Sequence, residues 1–174
     1  MRLYALSNIG SLAVRAACST LLLLSSGYEA DAHAPTRRLM ELYARASVIF
    51  DDKAGSHAQN WFRNRNQGSP ARLVQKYLGD QAKNLMDLLS RSTHDDSRGL
   101  QLLWDPPAWI QVPNEARSIN VFPTRTPRHA SALLYYVTRQ TTEIAVFIID
   151  ANGTSIVIPG VVSELLQRHD LEAF

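Results

Sequence analysis

Glu143-Ile144-Ala145-Val146-Phe147-Ile148-Ile149, followed by Asp150-Ala151-Asn152-Gly153, is the stretch on which the fold turns. Ile144, Val146 and Ile148 alternate with Ala145, Phe147 and Ile149, so apolar groups line both faces of an extended segment. β-Branched and aromatic residues at this density favour a strand, and apolarity on both faces predicts one that is covered on both sides. Asn152-Gly153 supplies the positive φ that a tight hairpin needs. Ser155–Pro159 then reads as the returning strand, and Pro159-Gly160 ends it.

Working outward, the residues before this hairpin carry the same extended signal. Leu133–Val137 is a compact apolar run, and Ile119, Val121 and Pro123 alternate with polar residues. Leu100–Val112 is irregular, because the adjacent Pro106 and Pro107 forbid a regular ladder. Nearer the N-terminus the period is helical. Thr36 reads as an N-cap, and Leu39, Leu42, Tyr43, Ala46, Ile49 and Phe50 form one stripe ending at Asp51-Asp52. Residues 51–69 form a polar linker with room for a helical turn around His57–Phe62. Ser69-Pro70 restarts a helix with a capping hydroxyl and a proline at the first helical position. Its stripe runs from Leu73 and Val74 to Leu88 and Leu89, with Gly79 as a weak point. Ser163 can cap a last helix through Leu171. Segregated helices and strands predict an α+β fold: two N-terminal helices on a curved antiparallel sheet of about four strands, then a short C-terminal helix.

The first 32 residues read as an export signal. Arg2 and Arg15 form the positive region, Ala16–Leu24 the apolar run, and Ala30-Asp31-Ala32 the small-x-small pattern, with cleavage between Ala32 and His33. The run is shorter than the roughly 20 apolar residues a bilayer span needs. The predicted organisation is a cleavable signal over residues 1–32 and one domain over 33–174, in the periplasm or secreted. Cleavage removes the single cysteine, Cys18, so the domain forms no disulfide and rests on its core. About 140 residues suffice for one such core. Two cations and two anions leave together, so the net charge stays at +2. That is too mild for nucleic acid as a partner, and no stable membrane insertion is expected after cleavage.

The helix started by Ser69-Pro70, the Trp104-Asp105-Pro106 segment and the Val146–Gly153 hairpin together resemble the cone-shaped α+β domains of the nuclear-transport-factor-2-like superfamily, in its exported bacterial subset. Thr154-Ser155-Ile156 stands where such domains often carry a tryptophan. The resemblance implies a fold shared by isomerases, dehydratases and many non-enzymes, so it assigns no activity.

The candidate chemistry is sparse. His94-Asp95-Asp96 is consecutive on a polar loop, and metal ligands must converge from separated positions. Asp51-Asp52 with His57 has the composition of an acid/base group but reads as a solvated linker. Tyr43, Tyr77, Tyr135 and Tyr136 sit in apolar runs, as core tyrosines do. No serine lies in a nucleophile elbow, and no metal or cofactor is expected. Asn152-Gly153-Thr154 is a formal glycosylation sequon that the turn explains without sugar.

Two stretches instead have the composition of binding surfaces. Trp61, Arg63 and Arg65 cluster in the linker, and Trp104, Asp105 and Trp109 surround the diproline. Trp and Arg dominate interface hot spots because they bury large area and still present donors. The expectation is an exported, non-catalytic protein-binding domain, concretely an immunity-type protein against a secreted toxin. The alternatives are a cavity-based ligand binder or enzyme and a structural envelope component.

Overall fold

The structure is a computed structural model that describes residues 1–63, 68–93 and 127–153. Over these residues the chain is helical: α1 (Arg2–Ser25), α2 (His33–Asp51), α3 (Ser56–Phe62), α4 (Pro70–Thr93) and α5 (Pro127–Ala151). No sheet occurs among the described residues, which overturns the expected α+β fold and its sheet of four strands.

The correction centres on Leu133–Val137 and Glu143–Ile149, both of which lie inside α5. Read over the whole of α5, Leu133, Val137, Gln140 and Ile144 recur at helical spacing and are all buried. Phe147 and Ile148 continue the stripe and pack on the core. Apolarity on two sides, which an extended segment needs a covering layer on each face to satisfy, is met here by one helix set against both α1 and α2. The outer side adds Arg139–Glu143 at 3.0 Å and a bond from Arg139 to the Tyr135 hydroxyl at 2.7 Å. These i,i+4 pairs support a helix and have no counterpart in a strand. Asn152-Gly153 ends this helix instead of turning a hairpin. The Asn152 amide donates to the Ile148 carbonyl at 3.1 Å, and Gly153 takes φ +70°, the left-handed cap at which many helices stop. Residues 119–123, 155–159 and 163–171, read as two strands and the last helix, lie outside the described residues.

The two expected N-terminal helices are present with adjusted ends. α2 starts at His33 rather than after Thr36, whose hydroxyl donates to the Ala32 carbonyl at 2.7 Å from within the first turn. It stops at Asp51, where the apolar stripe stops. α4 starts at Pro70 as expected and bends at Gly79, which takes φ +87° and ψ 178°. That conformation is open essentially to glycine alone. The weak point seen in the sequence is therefore a joint between two helical pieces.

α2 is the hub, packing against α1, α4 and α5, while α1 also packs against α5. α1 and α2 run antiparallel: Thr20 meets Thr36 at 3.3 Å near one end, and Arg2 lies over Phe50 near the other. The run read as Ala16–Leu24 is thus part of a 24-residue helix, long and apolar enough by length and composition to cross a membrane. In the fold it contributes Leu6 and Ile9 to the core, both fully buried. Each such side chain is worth about 1.5–3 kcal/mol. One core cluster joins α1, α2 and α5 around Leu39, Leu42 and Ile49. A second joins α2 to α4 and the start of α5 around Met40, Val74 and Leu133.

Candidate protein-binding face

α3 is seven residues long, too short to hold itself together in water, and is fixed from both ends. Asp52 fixes its start: one carboxylate oxygen accepts from the His57 amide at 2.7 Å and from the Ser56 hydroxyl at 2.8 Å. The other accepts from the Ala54 amide at 3.0 Å. These bonds, the His57 amide first, hold the Asp52 carboxyl below its ordinary pKa. Asp52 therefore works as a cap for the first turn of α3, with the His57 backbone amide as its shortest donor.

The far end of α3 is fixed by its aromatics. Trp61 is half-buried against the core, and its indole N–H donates to the Asn8 side chain of α1 at 3.3 Å. The Arg45 guanidinium of α2 lies 5.8 Å from the Trp61 ring centroid. Phe62 remains 43% exposed and stacks on Tyr4, itself 70% exposed, with centroids 5.4 Å apart. Arg63 follows as an exposed cap residue. On the same α1 end, Arg2 lies 4.9 Å from the Phe50 ring centroid. The face thus presents two exposed rings, one indole and three guanidiniums.

These guanidiniums pair with no carboxylate among the described residues. The ion pairs among the described residues engage Arg37, Arg38, Lys83 and Arg139. Arg2, Arg45 and Arg63 have no carboxylate partner among them, and the buried Nε atoms of Arg2 and Arg45 have no acceptor. Rings with guanidiniums beside them suit a partner surface that supplies carboxylates and an apolar pocket.

Of the residues singled out in the sequence, Trp61 and Arg63 share this face. Arg65, Trp104, Asp105 and Trp109 lie outside the described residues, as does the His94-Asp95-Asp96 cluster. Sequence reasoning missed Tyr4, Asn8, Arg2 and Arg45. The first three stand in the segment set aside as a signal. Arg45 was legible as the one cation within the apolar run Leu42–Phe50.

The four tyrosines have structural positions. Burial, then a hydrogen bond with Glu143, raises the Tyr43 phenol above its usual pKa, and burial also raises Tyr136. Tyr77 accepts from Lys76 Nζ at 3.0 Å, and Tyr135 accepts from Arg139. A depression on α4, lined by Asn84, Leu85, Asp87 and Leu88, has its carboxylate engaged by Lys83 at 2.8 Å. No group of three or more His, Cys, Asp or Glu that could hold a metal occurs among the described residues.

Ala32 and His33, the expected cleavage pair, are 0% and 1% exposed where α2 begins. A bond so enclosed is out of a peptidase's reach in this arrangement. Comparison of the chain with models of known protein families, with curated proteins and with solved structures gives no match in any of the three.

Proposed function

We propose that this chain is an exported, non-catalytic protein-binding domain whose partner meets the α3 end of the bundle. The observation that carries this reading is the juxtaposition of Trp61 and exposed Phe62 with the guanidiniums of Arg45 and Arg63, which pair with no carboxylate among the described residues. On export the first 32 residues leave, taking Tyr4, Asn8 and Arg2 with them. The Trp61 indole N–H and the Phe62 ring are then uncovered, and α1 serves as their cover only in the precursor. A concrete version is an immunity-type protein that occludes an acidic surface of a toxin acting in the periplasm.

The test is partner capture by tagged chain recovered from the periplasm. Trp61→Ala, and separately the Arg45→Ala/Arg63→Ala pair, are expected to weaken capture at least about thirtyfold, a hot-spot effect of roughly 2 kcal/mol or more. Arg72→Ala, on the exposed side of α4, is expected to leave it unchanged. Equal capture by all variants would sink the assignment of the face.

A second reading keeps α1 in place. The enclosed Ala32–His33 bond and the burial of Leu6 and Ile9 favour it. The binding face then includes Tyr4 and Arg2, and the N-terminus of the recovered protein separates the two readings.

A further inference from the structure

Docked α1 closes three parts of the chain at once. The first is its own apolar run. Ala16, Ala17 and Thr20 are buried, and Leu23 and Leu24 pack on the second core cluster. Leu21 and Leu22 stay outside, so the run is presented as one side of a packed helix rather than as a free segment. The second is the Ala32–His33 bond, enclosed where α2 begins. The 3.3 Å contact between the Thr20 and Thr36 hydroxyls ties the two helices together beside it. The third is the α3 face, where Asn8 takes the Trp61 indole N–H and Tyr4 stacks on Phe62.

The seat that holds α1 is also made late. It needs α5, and the approach is close: a Cβ on Gly10 would stand 2.6 Å from Ile148 Cδ1 and 3.8 Å from Ile144 Cγ2. α5 ends at Ala151, so about 120 residues follow Ala32 before the seat is complete. At a synthesis rate of about 5–20 residues per second this takes on the order of ten seconds. A helical bundle then folds within about milliseconds. α1 is therefore free of its seat while the chain is being made and closed soon afterwards. We infer that docked α1 is an autoinhibitory closure timed by synthesis of α5. A chain that enters export before α5 is complete delivers an open binding domain. A chain that folds first keeps its signal, its Ala32–His33 bond and its α3 face shut in the cytoplasm. This rests on the reading of residues 1–32 as an export signal.

The test is a pulse-chase of the full chain in an expressing bacterium, with the full-length and His33 forms separated by mass. The parent is expected to split in two. One fraction is processed early, and the other stays full length in the cytoplasm through the chase and resists mild proteolysis between Ala32 and His33. Two variants loosen the seat from opposite sides. Ile144→Ala leaves the signal sequence unchanged and removes a side chain that is 1% exposed, and Gly10→Leu overfills the contact with Ile148. Each is expected to shrink the persistent fraction at least about threefold, because a looser closure reopens faster, with a matching rise of the His33 form. Val74→Ala, in the core between α2 and α4, is expected to leave the split nearly as in the parent. A Val74→Ala effect as large as that of Ile144→Ala would assign the delay to folding in general and overturn the inference. So would a full-length fraction cut readily between Ala32 and His33, loss of that fraction without more His33 form, or a parent processed as completely as Ile144→Ala. The α3 face survives each of these results. A chain that is processed in no variant overturns the export reading and this inference together.

Discussion

Asp52 illustrates how one side chain decides a local structure. Its carboxylate replaces the hydrogen bonds that the first turn of α3 cannot make internally, and so sets where Trp61 and Phe62 stand. The depressed pKa fixes the sign of its pH dependence. A carboxyl with a lower pKa when folded contributes stability that is fully present above its unfolded value of about 4. That contribution is lost as the pH falls through the lower folded value. Asp52→Ala is therefore expected to destabilise the protein at pH 7, and the gap between variant and parent should narrow below about pH 4. Urea denaturation at several pH values measures this. A gap of constant size would show that the charge of Asp52 is not what holds α3. This role was hidden in the sequence, where Asp51-Asp52 with His57 has the composition of an acid/base group but reads as a solvated linker. Composition does not say whether a histidine is met through its ring or its amide.

At the scale of the element, α5 and α4 show what a sequence window can carry. The N-terminal helices were legible because their stripes run for several turns between clear stops, Asp51 for α2 and Ser69-Pro70 before α4. α5 was misread because Glu143–Ile149 is a short apolar run, for which strand and buried helix look alike. Its β-branched residues tilt propensity toward the strand, and contacts with α1 and α2 override a preference of that size. Asn152-Gly153 deepened the error, since a residue pair able to take positive φ serves a helix end as well as a hairpin. Two substitutions test the elements as described. Ile144→Ala removes a side chain that is 1% exposed between helices, with an expected cost of about 2–5 kcal/mol. Gly79→Ala meets no atom within 4 Å of the new Cβ, so its expected cost of about 1–3 kcal/mol comes from the backbone alone. A Gly79→Ala protein as stable as the parent or more so, by urea denaturation, would mean that α4 runs straight through this position.

For the whole molecule, the question is where α1 spends its life. The same 24 residues have the composition of an export signal and the packing of a core helix. Both follow from one property, a run of small and apolar groups with few charges, which a translocation pathway and a helical groove accept alike. Little of the candidate site was legible for this reason. Setting the segment aside as a signal also set aside Tyr4 and Asn8, which meet Phe62 and Trp61. Loss of α1 uncovers side chains such as Leu42, Ile49 and Ile144 that the docked helix keeps from water. The processed domain is therefore expected to be less stable alone than with its partner, by the linkage of binding to folding. Thermal melts of the periplasmic protein with and without the captured partner read this directly. The central claim is that α1 covers the binding surface only until export. Its most direct test is the intact mass of the protein recovered from the periplasm of an expressing bacterium. A chain starting at His33 is the expected result; a periplasmic chain starting at Met1, or a chain found only in the cytoplasm, would contradict it.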